Sequence, residues 1–115
     1  MIKSEWIRLQ HMLKAAREAV NFVYARTRSD LDNDRMLSLA LVKLIETIGE
    51  AANSIAVTTR QSYPQVPWIE IIGMRHRLIH GYYEIDLNIV WEVVTHDLPP
   101  LLLELRKILS EQSLK

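Results

Sequence analysis

The chain has 115 residues, of which 49% are hydrophobic and 24% are charged, and its 14 basic and 14 acidic side chains give a formal net charge of zero. This length and composition predict a single folded domain over residues 1–115 and exclude a disordered tail. The lack of cysteine excludes disulfide scaffolds and thiolate metal sites, and a neutral chain lacks the basic footprint that binding to duplex nucleic acid usually leaves.

Any contact with nucleic acid must therefore be local or be assembled from more than one copy of the chain. The N-terminus has no apolar core of signal-peptide length, and no apolar run approaches the ~20 residues of a membrane helix. We expect a soluble, cytoplasmic protein that makes no contact with a membrane.

The N-terminal segment predicts an amphipathic helix over residues 4–26. Apolar residues recur there at intervals of three and four, which places them on one face of a helix. They are Ile2, Trp6, Leu9, Met12, Ala16, Ala19 and Val23. The polar stretch 28–34 then predicts a turn in which Asp32 or Asn33 caps the next helix.

A second helix is predicted over residues 35–56 and is apolar around most of its circumference. Such a helix is buried on more than one side, either at the centre of a bundle or at a subunit interface. Its polar residues, which include Glu46 and Glu50, form one narrow strip that could border a functional cleft or face water, and we favour exposure to water.

Two further helices follow a loop over residues 57–67. Pro67 suits the first position of a third helix over 67–80, which Gly81 would end. Asp86 is a candidate cap for the fourth helix. With no β-hairpin signal, these segments predict an all-α bundle of four long helices.

The fourth helix contains two consecutive prolines, Pro99 and Pro100. A proline inside a helix removes a backbone hydrogen bond and its ring clashes with the preceding turn. The fourth helix is therefore predicted to be kinked at Pro99–Pro100.

On the third helix, Arg75 falls within one row with the apolar or aromatic residues Trp68, Ile72, Ile79 and Tyr82. A guanidinium is almost never fully buried without a partner. One interpretation places Arg75 at a groove edge, with its stem packed and its head in water. The other has it face a cleft that receives an anion, because its planar fork of donors suits phosphate.

His76 and His80 are four residues apart, so on a helix they share a face and raise the hypothesis of a zinc site. Arg77 lies between them and would oppose a bound cation, and no spacing supplies a third ligand. Two exposed polar histidines are favoured over metal binding.

Arginine and histidine together also supply a phosphate clamp and a proton-transfer group. That is sufficient for metal-free RNA cleavage, in which the 2′-hydroxyl attacks the adjacent phosphate. Arg75 and His80 are about 140° apart on an ideal helix, so spacing alone favours Arg77 as the partner of His80.

The segment "MRHRLIHGYYEIDLNIVWEVV" (74–94) resembles the HepT-like members of the HEPN family, with the motif Arg-x-x-x-x-His-x-Tyr at Arg75, His80 and Tyr82. "IETIGEAANSI" (45–55) and "IDLNIVWEVVTHDLPPLL" (85–102) match the flanks of that family. The resemblance covers roughly residues 35–105.

This resemblance implies a four- to five-helix up-and-down bundle and a homodimer in which two motifs meet in a cleft. It implies a metal-independent endoribonuclease, the toxin of a toxin–antitoxin pair, with Arg75 and His80 catalytic and His76 and Arg77 supporting RNA binding. It also implies silencing by a minimal nucleotidyltransferase antitoxin that transfers AMP to Tyr82. The adjacent Tyr83 leaves open which hydroxyl is modified.

Two alternatives remain at this point. One is a non-catalytic helical module that binds a nucleotide or a partner and keeps Arg75 for anion binding. The other is a metal-dependent hydrolase that uses His76 and His80.

Overall fold

The computed structural model describes residues 2–82 and 84–113, and over these residues it is a helical bundle with one small hairpin. Its elements are α1 (Lys3–Phe22), α2 (Asp30–Asn33), α3 (Arg35–Asn53), α4 (Val57–Gln61), α5 (Trp68–Ile72), α6 (Met74–Leu78), β1 (Ile79–His80), β2 (Glu84–Ile85), α7 (Leu87–Glu92), a π-helical segment (Val93–Asp97) and α8 (Leu98–Ser113). The predicted all-α class is confirmed.

Helix α1 packs along α3 and α8 through the predicted apolar face. Leu9, Met12, Ala16 and Ala19 are fully buried, whereas Ile2 at the end of the face is 65% exposed. Helix α3 packs on α1 and also on α5, α6 and α7, so it is the central helix of the bundle. Within residues 2–82 and 84–113, every helix is too short or too polar to span a lipid bilayer.

A glycine allows α3 and α5 to approach each other closely. A Cβ atom added to Gly49 of α3 would lie 3.2 Å from the carbonyl oxygen of Ile71 and 3.5 Å from that of Ile72. These are backbone atoms of α5 that a side chain cannot push aside. The contact fixes α5, and the chain that follows it, against the middle of α3.

The predicted cap of α3 is wrong, and the predicted cap of α7 is confirmed. Residues 30–33 form the short helix α2, so neither Asp32 nor Asn33 caps α3. That cap is Asp34, whose side chain accepts a hydrogen bond from the backbone N–H of Leu37 at 3.0 Å. Asp86 caps α7 as predicted, by accepting from the backbone N–H groups of Asn88 and Ile89.

The single third helix predicted over 67–80 is wrong. The chain breaks at Gly73 into two short helices and leaves helical geometry after Leu78. Ile79 then has φ −115° and ψ 121°, and Ile79 pairs with Ile85 while His80 pairs with Glu84 in an antiparallel hairpin. Gly81 lies in the hairpin turn with φ +66° rather than at the end of a helix.

Where a kink at Pro99–Pro100 was predicted, a π-helical segment (Val93–Asp97) precedes α8. The two prolines lie in the first turn of α8. The prolines have no N–H to donate to the carbonyls of Thr95 and His96, and wider π-helical pairing precedes them. The Thr95 hydroxyl donates to the Trp91 carbonyl oxygen at 2.7 Å.

The buried carboxylate of Glu5 joins α1 to the start of α4. It is 5% exposed, and it accepts hydrogen bonds from the Ala56 backbone N–H at 2.6 Å and the Thr59 hydroxyl at 2.7 Å. The bond from Thr59, followed by the bond from Ala56, lowers the pKa of Glu5 below its ordinary value, although burial opposes this shift.

Glu5→Gln is expected to reduce the free energy of unfolding near neutral pH by about 1–3 kcal/mol, because hydrogen bonds to charged groups contribute about 1.5–3 kcal/mol. The lowered folded-state pKa means that this stabilisation is present above the unfolded-state pKa and is lost as the pH falls through the folded-state pKa. Urea unfolding near neutral pH and in acid measures both effects. Exposed Glu92→Gln is the control, and a Glu5→Gln deficit that persists undiminished in acid would contradict the assignment.

Candidate active site

The residues singled out in the sequence lie on α6 and the hairpin that follows it. Arg75, His76 and Arg77 are on α6, His80 is on β1 and Tyr82 is in the turn. All five are exposed. The short helix and the hairpin thus present the whole motif on the surface of the bundle.

Arg75 is held by a carboxylate from the central helix. Its Nε donates to Glu46 Oε1 at 2.9 Å, and the two side chains are 51% and 22% exposed. Bonding through Nε leaves the two terminal nitrogens of the guanidinium to face an anion. The expectation that Glu46 simply faces water is wrong, because this partly buried carboxylate orients Arg75.

His80 is held by a carboxylate at the start of α7. Its Nε2 lies 3.3 Å from Asp86 Oδ2, with side chains 59% and 30% exposed. Hydrogen bonds from the Ile89 backbone N–H and then from His80 keep the pKa of Asp86 below its ordinary value. Asp86 is therefore ionised at neutral pH beside the imidazole.

Arg77 lies on a different flank of α6. Successive residues on a helix turn by about 100°, so Arg75 and Arg77 point in nearly opposite directions. Arg77 Nη1 lies 3.4 Å from Asp97 Oδ2, and both line a cleft of ≈ 320 Å³ between α5–α6 and the start of α8. The angular preference for Arg77 over Arg75 assumed a continuous helix, which is absent at His80.

His76 and His80 do not share a helical face, because His80 is in a strand. This removes the spacing on which the zinc hypothesis depended. No group of three or more His, Asp or Glu side chains arranged to hold a metal occurs within residues 2–82 and 84–113. His76 makes no side-chain hydrogen bond or ion pair with the described residues.

Tyr82 lies in the hairpin turn, two residues after His80, and is 90% exposed. The turn places its side chain in solvent, and the helical row that was predicted to run from Trp68 to Tyr82 does not exist. Tyr83, the other candidate acceptor, lies outside the described residues.

The site therefore combines a guanidinium with free donors and an imidazole beside an ionised carboxylate. No hydrogen bond or ion pair joins Arg75 to His80 directly in the described part of the chain, so each is oriented by its own carboxylate. Such a pair can bind a phosphate and move a proton. The roles of Glu46 and Asp86 towards Arg75 and His80 were not predicted from the sequence, since both contacts depend on how α3, α6 and α7 pack.

Comparisons with known proteins agree on one family. A family model described as "Ribonuclease HepT-like" matches residues 12–108. A "Putative RNase" of Caldanaerobacter subterraneus subsp. tengcongensis is 33% identical over 104 residues, which are 90% of this chain and 93% of that protein. A "Probable ribonuclease HepT" of Thermococcus cleftensis is 33% identical over 88 residues, 73% of this chain and 80% of that protein.

One further relative is longer. A Methanocaldococcus jannaschii protein described as "Gamma-glutamylcyclotransferase and putative RNase" is 35% identical over 111 residues, which are 96% of this chain and 50% of that protein. The present chain thus spans about half the length of that relative. No solved structure matches this chain significantly.

Proposed function

This chain belongs to the HepT-like ribonuclease family, and from that premise we propose that it is a metal-independent endoribonuclease in which Arg75 and His80 act on a phosphodiester of RNA. One observation carries the proposal. The two motif side chains each contact a carboxylate outside the motif, Glu46 of α3 for Arg75 and Asp86 at the N-cap of α7 for His80, yet both remain about half exposed to a ligand.

In the proposed reaction, His80 takes the proton of a 2′-hydroxyl, and the 2′-oxygen attacks the adjacent phosphorus. The bond to the 5′-oxygen of the next nucleotide breaks, which leaves a 2′,3′-cyclic phosphate and a 5′-hydroxyl. Arg75 stabilises the negative charge that develops on the phosphoryl oxygens. The leaving 5′-oxygen takes up a proton from water, and His80 gives the proton that it took from the 2′-hydroxyl back to the solvent, so the step balances without a metal ion.

Two copies of the chain are proposed to form the RNA-binding cleft. A neutral chain attracts RNA poorly, whereas two facing motifs bring Arg75, Arg77 and the histidines of both copies together. His76 and Arg77 are proposed to contact the RNA backbone. Sedimentation should show a homodimer, and RNA cleavage should decline with dilution through the dimer dissociation range.

The chain is further proposed to be the toxin of a toxin–antitoxin pair, silenced by a minimal nucleotidyltransferase antitoxin that transfers AMP to Tyr82. The exposure of Tyr82 in the hairpin turn supports this proposal. AMP there would add a negative phosphate and bulk two residues from His80, which repels and blocks the RNA phosphate.

The modification has a direct mass test. Protein co-expressed with its genomic neighbour should gain the mass of one or more adenylyl groups and lose RNA cleavage, while Tyr82→Phe should gain none and stay active. Tyr83→Phe is the matched control and should still be modified. An unmodified wild-type protein, or modification that persists in Tyr82→Phe, contradicts the assignment of Tyr82.

Glu46→Ala is expected to lower the rate of RNA cleavage about tenfold, because Arg75 loses the contact that orients it. Stability should change little, because the Arg75 side chain is 51% exposed and an ion pair that is accessible to solvent contributes about 0–1 kcal/mol. Single-turnover cleavage and thermal unfolding measure the two effects. Glu50→Ala, on an exposed turn of the same helix, is the control. Equal cleavage rates for the two variants would show that Glu46 has no role in the site.

A further inference from the structure

We infer that Asp86 is a positioning residue that fixes the proton of His80 on Nε2 and leaves Nδ1 as the base. This inference rests on the proposed function and deepens it, because it names the nitrogen of His80 that faces the 2′-hydroxyl of RNA. It also gives Asp86 a second role besides helix capping.

The two carboxylate oxygens of Asp86 have separate partners. Oδ1 accepts hydrogen bonds from the backbone N–H groups of Asn88 at 3.1 Å and Ile89 at 3.2 Å, while Oδ2 lies 3.3 Å from His80 Nε2. Because an ionised carboxylate has no proton to donate, the hydrogen must be on Nε2. Neutral His80 then has an unprotonated Nδ1, which has no hydrogen-bond partner among the described residues.

Two contacts hold the turn at Asp86 in place. Its N–H donates to the Leu78 carbonyl oxygen at 2.7 Å, which joins the end of α6 to the start of α7 across the base of the hairpin. Arg28 Nε donates to the Asn88 side chain at 2.8 Å and anchors the same turn from the side of α2. A carboxylate fixed in this way can hold an otherwise exposed imidazole in one orientation.

Glu84 is the other acidic side chain next to His80, because the two residues pair across the hairpin. No hydrogen bond joins their side chains in the described part of the structure. Glu84 therefore provides negative charge near the imidazole without fixing its tautomer, and Glu84→Gln is a matched control for charge alone.

The variant Asp86→Asn separates capping from tautomer control. Asn caps helices as well as Asp does, and only its oxygen can accept from the N–H groups of Asn88 and Ile89. The side-chain NH₂ group then takes the position of Oδ2 and donates to His80 Nε2. The imidazole proton is expected to move to Nδ1, which can no longer accept a proton from the 2′-hydroxyl.

The experiment combines ¹⁵N NMR of the histidine rings with RNA cleavage on the full chain, near pH 8.5 where an ordinary histidine is neutral. Wild type and Glu84→Gln should show the Nε2–H tautomer at His80, and Asp86→Asn the Nδ1–H tautomer. Asp86→Asn should cleave RNA about tenfold to a hundredfold more slowly, a smaller loss than in a fully buried Asp–His pair. Its melting temperature should stay within a few degrees of wild type.

Three results would overturn the inference. An unchanged tautomer of His80 in Asp86→Asn would mean that Asp86 acts only as a helix cap, even if stability and the cleavage rate both fell. A change of His80 to the Nδ1–H tautomer with an unchanged cleavage rate would mean that Nδ1 is not the base. Equal loss of rate in Glu84→Gln would mean that only local charge matters. If the wild type cleaves no RNA, the proposed function fails, and the NMR result alone still decides whether Asp86 sets the proton position of His80.

Discussion

His80→Ala is expected to reduce the rate of RNA cleavage by about a thousandfold, because general acid–base catalysis by one residue contributes about 10²–10⁴-fold. The substitution removes the only proposed proton acceptor for the 2′-hydroxyl and leaves Asp86 capping α7. The His80 side chain is 59% exposed, so the fold should tolerate its removal. As the proposed toxin, the wild-type chain should arrest growth on expression, and this variant should not.

The control is His11→Ala, which removes an exposed histidine of α1. It should cleave RNA at the wild-type rate. The wild type, His80→Ala and His11→Ala should all unfold at similar temperatures. Full activity in His80→Ala, together with weakened ligand binding in Arg75→Ala, would contradict the nuclease and favour the non-catalytic binding module.

Arg75→Ala is expected to reduce the cleavage rate about 10²–10³-fold, the usual effect of removing one group that stabilises transition-state charge. Arg75→Lys should recover only part of this loss. Lysine has no second nitrogen with which to contact Glu46 and a phosphate in the same fixed geometry. Single-turnover rates at saturating RNA measure this loss separately from any change in binding.

Two arginine controls distinguish the site from a general loss of positive charge. Arg106→Ala removes an exposed arginine of α8 and should leave the rate unchanged. Arg77→Ala should weaken RNA binding more than it slows the bound reaction, since Arg77 contacts Asp97 on the other flank of α6. A defect in Arg75→Ala no larger than that in Arg106→Ala would exclude Arg75 from catalysis.

Local sequence patterns were sufficient to predict the long helices. The apolar face of α1 and the nearly all-round apolarity of α3 arise from residue spacing, and tertiary packing buries both as that spacing requires. The Asp86 cap was predictable for the same reason, because its partners are two and three residues further along the chain.

The hairpin was not predictable from helical periodicity. The spacing of Trp68, Ile72, Arg75 and Ile79 continues smoothly through the point where the helix ends. The available signal was Gly81 between the β-branched residues Ile79 and Ile85. At the end of α6 the Leu78 carbonyl oxygen accepts a hydrogen bond from the Asp86 N–H, and this contact across the base of the hairpin is not part of a helical pattern.

The candidate site, like the fold, was predictable only in part from the sequence. The motif at Arg75, His80 and Tyr82 can be found by resemblance, but the carboxylates that orient it are not within the motif. Glu46 is 29 residues from Arg75 in sequence, and only the packing of α3 against α6 brings the two together. Helical-wheel reasoning favoured Arg77 because it placed His80 on a helix.

Analysis of the RNA ends produced in excess EDTA tests whether this chain cleaves RNA without a metal ion. We expect the purified wild-type protein to cut RNA under these conditions, to leave a 2′,3′-cyclic phosphate at every new 3′ end, and to leave the 2′-O-methylated form of the same RNA intact. Intact RNA with the folded wild-type protein, or cleavage that EDTA abolishes and that leaves 3′-hydroxyl ends, would exclude metal-independent cleavage by this chain.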